Sequence, residues 1–281
     1  MKLKKKSAEI FIPDNKEVMP ALIQTTDLCI AAHQDDLEIM AYNPISECFG
    51  KEDRHFTGVV VTNGGGSPRN GIYANYSDEK MQLTRACEQK KAALIGKYSA
   101  QLLMSYPSKE VKDATNRVLL EELKEIILTC SPDILYTHNL ADKHETHVAL
   151  VMHVIKAIRE IPEAKRPKKI ISLEVWRDLD WLSDEDKLIF NTGLYPNLSA
   201  ALLGVFDSQI TGGKRYDLAA LGRRLANATF LESHSVNNLD SASYGMDITD
   251  LVNSELSPAD YISKAIDKFK KEVNDLVTRF L

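Results

Sequence analysis

The sequence predicts an α/β chain, a mostly parallel sheet flanked by helices, and two observations carry that expectation. Short apolar or β-branched runs alternate with amphipathic stretches through the first two thirds, the pattern of repeated strand and helix units. Several of those runs end in polar loops rich in His, Asp, Asn and Gly. In open parallel sheets ligands bind beyond the carboxyl ends of the strands, where such loops lead into helices.

Strands are expected at Asp27–Ala32, Thr57–Thr62, Ala100–Tyr106, Asp133–Thr137 and Lys169–Trp176. Ser77–Gly96 reads as a helix, with a serine N-cap, acidic residues in its first turn and a terminal glycine. Asp113–Cys130 reads as a second, stopped by Ser131-Pro132. In Glu145–Ile161 the apolar face is Val148, Val151, Met152 and Ile155, and Pro162 ends the helix. Beyond Trp176 the pattern weakens to an acidic stretch (Arg177–Lys187), an apolar segment near Leu198–Phe206 and a helix from Tyr216 to about Leu231. The tail, Pro258–Leu281, is an amphipathic helix of mixed charge suited to packing or an interface. A length of 281 residues with 44% hydrophobic content supports a full core. One domain over 1–281 is expected, with a motif-bearing core at about 25–235 and a helical extension at about 258–281.

Composition excludes several roles. With 35 basic against 40 acidic side chains and a net charge of -5 there is no electrostatic footprint for a polyanion, so nucleic acid is not expected as a partner. Cys29, Cys48, Cys87 and Cys130 lack the paired spacing of a thiolate metal site and read as reduced thiols. No run approaches the roughly 20 apolar residues of a membrane span. The lysine-rich Met1–Lys6 leads into charges and a proline rather than an apolar stretch, so a cytoplasmic location is expected.

Three loops carry the chemistry: Ala32-His33-Gln34-Asp35-Asp36-Leu37-Glu38, Thr62-Asn63-Gly64-Gly65-Gly66-Ser67, and the stretch from His138 to His147. A histidine beside two adjacent carboxylates at a strand end is explained if they share a cation or a substrate, since bare carboxylates there would repel. Capping of the next helix would account for Asp35-Asp36 but not for His33. Imidazole nitrogen with carboxylate oxygen suits zinc or another divalent first-row metal. His144 and His147, three apart at a helix start, share one face, so one can bind metal while the other faces a substrate. His138 and His153 read as ordinary histidines.

These motifs resemble the PIG-L/LmbE-like N-deacetylases, which hydrolyse N-acetyl groups from N-acetylglucosamine-containing molecules. The first family motif, Ala-His-Pro-Asp-Asp-x-Glu, is matched by Ala32–Glu38 with Gln34 for proline. The second, Asp-x-His-Pro-Asp-His, is matched by Asp142, His144 and His147, with Glu145 for proline and Thr146 for aspartate. Weaker likeness continues through Thr62-Asn63-Gly64, Arg85-x-x-Glu88 and Glu174-Val175-Trp176.

The resemblance implies a Rossmann-like sheet and a zinc-dependent amide hydrolase, with Fe2+ as the alternative metal, acting on an N-acetylated sugar or glycoconjugate, and it is compatible with a homo-oligomer. His33, Asp36 and His147 would be the metal ligands. Asp35 would be the general base on the attacking water, and His144, as imidazolium, would stabilise the oxyanion and protonate the departing amine. Thr146 removes a carboxylate that would hold a histidine protonated, with Asp142, outside the ligand set, as the compensating acid. Arg69, Lys143 and His234 are candidate substrate contacts. The rivals are weaker: Gly64-Gly65-Gly66 lacks dinucleotide-binding spacing, and no second carboxylate-rich loop supports a two-metal phosphohydrolase. A non-catalytic sugar-binding relative would need neither Asp35 nor His144.

Overall fold

The computed structural model describes residues 1–281. Eight strands, β1 (Glu9–Phe11), β2 (Asp27–Ala31), β3 (Phe56–Thr62), β4 (Ala100–Tyr106), β5 (Ile134–His138), β6 (Lys169–Leu173), β7 (Leu188–Asn191) and β8 (Ala242–Asp247), form one sheet. Their order is β1-β4-β3-β2-β5-β6-β8-β7. The five strands from β4 to β6 in that order are parallel, while β1 and β8 run antiparallel to their neighbours. The chain thus builds outward from β2 on one side, returns, and lays β5 and β6 on the other. β2 and β5 end side by side, paired from Asp27↔Ile134 to Ile30↔Thr137. This is the topological switch point, where the two exit loops part and leave a crevice.

All five residues of β2 are buried, as a central strand covered on both faces requires. Leu28 and Ile30 enter a core with Leu123, Ile126, Val151 and Val154 from the helices Arg117–Cys130 and Glu145–Arg159. Cys29 and Ala31, one step out of phase, enter a second core with Leu37, Tyr42 and Phe56. The helix Asp78–Gly96 starts as expected, Ser77 Oγ accepting from the Lys80 amide. The helix expected from Asp113 begins instead at Arg117: Asp113 closes a turn on Thr115, and Asn116 caps through the Leu119 amide.

β6 stops at Leu173, short of the expected Trp176. Glu174 is the cause. Its buried carboxylate accepts from the amides of Leu179 (3.0 Å) and Tyr244 (3.1 Å) and from Asn227 Nδ2 (2.7 Å), which turns the chain out of the sheet. β1, β7 and β8 were not expected. The first two are three- and four-residue edge strands, and β8, Ala-Ser-Tyr-Gly-Met-Asp, lacks a clean two-residue alternation. The helix Tyr216–Phe230 crosses the second core, where buried Arg224 donates to Ser199 Oγ and to the carbonyl oxygens of Glu38 and Ile39, fixing the helix Asp36–Met40. All four cysteines are free, and no helix is long and apolar enough to cross a membrane.

Because Glu174 satisfies two buried amides that no other group reaches, Glu174→Ala should lower stability by about 2–4 kcal/mol. Chemical denaturation of the two proteins measures this, and a loss under about 0.5 kcal/mol, the range of an ordinary surface change, would contradict the assignment.

Candidate active site

The loop after β2 is held in an unusual shape. Asp35 has φ +87°, a left-handed conformation that costs a non-glycine residue roughly 1–3 kcal/mol. Its amide donates to Gln89 Oε1 (3.2 Å), while the Arg85 guanidinium donates to the Gln34 carbonyl and lies 3.5 Å from Asp35 Oδ1. Gln34 Nε2 donates to the Thr62 carbonyl (3.0 Å), tying this loop to the one after β3. There Gly64 has φ +72°, and a Cβ on it would stand 2.6 Å from Gln34 Oε1 and 3.1 Å from Arg85 Cβ, so glycine is required on both counts.

Asp36 opens the next helix with its Oδ2 accepting from the His33 amide (2.7 Å), which brings the carboxylate back over the end of β2. From the other side, Asp142 organises the loop after β5. Its Oδ1 accepts from the His144 amide (2.9 Å), and its Oδ2 lies 3.2 Å from both His147 Nδ1 and the Trp176 amide nitrogen. His144 is the N-cap residue of the helix Glu145–Arg159 and His147 lies in its first turn.

The two loops bring three donor atoms together: His33 Nδ1 to His147 Nε2 is 3.0 Å, and each nitrogen is 3.2 Å from Asp36 Oδ2. Ligand atoms at roughly 2.0–2.1 Å from a tetrahedral ion are themselves about 3.3 Å apart, so this set fits a small divalent ion without rearrangement. Asp142 on Nδ1 leaves His147 Nε2 pointing at the shared centre, the usual outer support of a metal-binding histidine. His138 was missed from sequence. It is fully buried, stacks on His147 with ring centroids 3.9 Å apart, and its Nε2 lies 3.5 Å from Asp36 Oδ2. That nitrogen already accepts from the Ala32 amide (2.8 Å), which makes His138 a floor of the site rather than a free ligand.

The electrostatics follow from burial and charge. Burial opposes ionisation of Asp36, yet His147 and His33 hold it well below the usual carboxylate range. His147, against the lowering effect of burial, is raised to about 9 by Asp36 and Asp142. Asp35 is pushed up to about 6 by burial, with Arg85 opposing. Burial, then the neighbouring His147 and His33, push His144 down to about 4, so neutral imidazole is its resting form, not the expected imidazolium. Asp142 favours the His144 cation, as does Asp36, but burial and the two neighbouring imidazoles outweigh them.

These groups open on a cavity of about 780 Å³ lined by His33, Asp35, Asp36, Arg85, His144 and Thr146, with Trp176, Lys214 and Tyr216 among its outer wall. Trp176 packs against His144 (6.1 Å) and Tyr216 (5.8 Å), and the ammonium groups of Lys143 (5.9 Å) and Lys214 (5.0 Å) sit over its ring. Of the expected substrate contacts, Lys143 lies over the Trp176 ring without lining the cavity itself, and the other two lie elsewhere. Arg69 folds back onto the Gly65 carbonyl (2.5 Å) and Asp78 (2.6 Å). His234 lines a separate surface cleft with Asp180, Asp184 and Lys187. The helix Tyr216–Phe230 starts at the cavity and spans about 22 Å, carrying the His234 loop away from it.

The family whose description is GlcNAc-PI de-N-acetylase, PIG-L, matches residues 28–158. No curated protein sequence matches. Among solved structures, an N,N'-diacetylchitobiose deacetylase from Pyrococcus horikoshii superposes with TM-score 0.63 at 13% identity, covering 86% of this chain and 91% of its own. A zinc-inhibited form of a teicoplanin deacetylase gives 0.57 at 12%, covering 79% and 97%. A 4-carboxy-2-hydroxymuconate hydratase from Pseudomonas putida KT2440 gives 0.59 at 16%, covering 83% and 100%. At these identities the likeness is one of fold.

Stability of the chelator-treated protein should fall as pH rises above 6.5. Folded His147 titrates near 9 against an ordinary 6.5, and buried Glu38 near 8 against 4.5, so in this window the folded chain holds protons the unfolded chain has released. The His147 contribution is complete below about 6.5 and lost as pH climbs through 9. Thermal midpoints from pH 6.5 to 9 should decline, less steeply in His147→Gln; an equal slope in both proteins would show that His147 is not proton-linked.

Proposed function

We propose, from the match of residues 28–158 to the PIG-L family, that this protein is a metal-dependent amide hydrolase removing an N-acetyl group from an N-acetylglucosamine-containing small molecule or glycoconjugate. The observation that carries the reading is the meeting of His33, Asp36 and His147 donor atoms within 3.2 Å of one another, at the end of a cavity that Asp35 and His144 also line. The fold alone does not choose the reaction, since a hydratase shares it.

His33, Asp36 and His147 would hold the ion, with zinc the first candidate and Fe2+ the second. When bound, such an ion supplies Lewis acidity, polarising an acyl carbonyl and acidifying water at the site. Asp35, not among the three converging donors, is the base. Its carboxyl near 6 is ionised at neutral pH yet basic enough to take a proton from the attacking water, and the Asp35 backbone is fixed by Gln89. His144, neutral at rest, donates an N–H to the oxygen on which charge develops. The proton held by Asp35 then passes to the departing amine, so the free amine leaves and the acyl group departs as the carboxylic acid, which gives its remaining proton to solvent. Trp176 offers an apolar platform for a sugar face, and Lys143 and Lys214, whose ammonium groups sit over its ring, suit an anionic or hydroxyl-rich substituent.

Metal analysis together with free-amine release from a panel of N-acetylated sugars tests the reading. His147→Ala should lose bound metal while staying folded; metal content equal to the parent would remove it from the ligand set. Asp35→Asn should retain metal and lose at least about a hundredfold in kcat. The acid limb of kcat/KM should reflect Asp35 near 6, and Arg85→Gln, by removing the cation that favours its carboxylate, should shift that limb to higher pH. A limb that stays in place in Arg85→Gln and persists in Asp35→Asn would assign the base elsewhere.

A further inference from the structure

The helix Pro258–Thr278 is the one long helix with no buried residue. It is anchored along a single stripe. Tyr261 and Ala265 pack on the core, the Tyr261 hydroxyl donates to the Asp247 carbonyl (2.8 Å), Lys268 pairs with Asp186 (2.5 Å), and Glu272 accepts from Ser183. Successive residues turn by about 100°, so a second stripe lies about a quarter turn from the first: Ile262, Ile266, Phe269, Val273 and Leu276, continued by Phe280 in the final turn. From Ile266 onward these are 46, 39, 44, 55 and 85% exposed. Ile262 still packs on the core, and the five large apolar side chains beyond it form a contiguous row that exceeds what a lone surface leaves uncovered.

The spacing of this row suits a second helix as its occupant. Steps of four, three, four, three and four residues are the alternation of a coiled-coil seam, which is filled by another helix with the same repeat rather than by a flat surface. We propose that the row is the interface of a homodimer in which the helix pairs antiparallel with its counterpart in a second copy of this chain. With Val273 opposite Leu276 of the partner subunit, Phe269 falls opposite Phe280 of the partner subunit, and symmetry repeats both layers. In this register Glu272 flanks the seam beside Arg279 of the partner subunit, twice over. A parallel pair would instead set Glu272 beside Val277 of the partner subunit and form no ion pair, so the charges choose the antiparallel arrangement. Between Pro258 and Leu281 stand five basic and four acidic residues, too balanced to draw the helix to an anionic membrane.

Sedimentation velocity on the full chain at tens of micromolar should give twice 31.5 kDa, and Val273→Lys with Leu276→Lys should give 31.5 kDa with unchanged circular dichroism. Arg279→Glu should weaken the dimer roughly tenfold through its two exposed ion pairs, and adding Glu272→Arg should restore it. In a Cys87→Ser background, a mixture of Val273→Cys and Leu276→Cys chains should oxidise to the mixed disulfide. A parent that stays monomeric, a dimer that survives the lysine pair, a disulfide formed only between two Val273→Cys chains, or vesicle binding abolished by the lysine pair would each overturn the proposal.

Discussion

A carboxylate almost out of reach of water stays ionised only where cations or oriented donors surround it, and Asp36 sets that condition for the whole centre of this molecule. Its side chain meets the His33 amide, the rings of His33 and His147, and, at longer range, His138. Half of these groups come from the exit of β2 and half from β5 and the helix behind it. The carboxylate is therefore compensated only while those two strands lie side by side. The sheet order that makes them neighbours across the switch point is the fold-level expression of the same requirement.

The central strands and the punctuated helices were legible because their signals are local. Buried β-branched runs and a serine cap or a terminal glycine mean the same thing wherever they occur. The edge strands were not, since Glu9–Phe11 and Leu188–Asn191 draw their order from partners distant in sequence. The end of β6 at Leu173 depends on an amide of Tyr244, seventy residues on, which no local pattern reveals. At the site, the sequence brought out the residues that converge but not their states. The family resemblance implies a cationic His144, whereas burial and two flanking imidazoles push its pKa down to about 4. His138 reads as ordinary because its place beneath His147 arises only when β5 lies against β2.

Solved structures of similar fold include deacetylases and a hydratase, and what they share is a fold, not a reaction. The crevice of this chain holds an arginine spanning Gln34 and Asp35, an imidazole trio stacked beside one carboxylate, and an indole carrying two ammonium groups. The left-handed backbone at Asp35 belongs to the same design. It separates the directions of two adjacent carboxylates, so that Asp36 turns inward to the histidines and Asp35 toward Arg85.

The Trp176 amide and the His147 ring share one oxygen of Asp142. A segment of the outer wall and an inner imidazole are thereby fastened to a single point, so a displacement of either is transmitted to the other through one side chain. Occupants of the two places are then thermodynamically linked. Whatever a ligand on the indole does to the hold at Nε2 of His147 through that shared oxygen, an occupant at Nε2 does to the ligand in equal measure. Affinity at the mouth and affinity at the floor would then not be independent properties of this molecule.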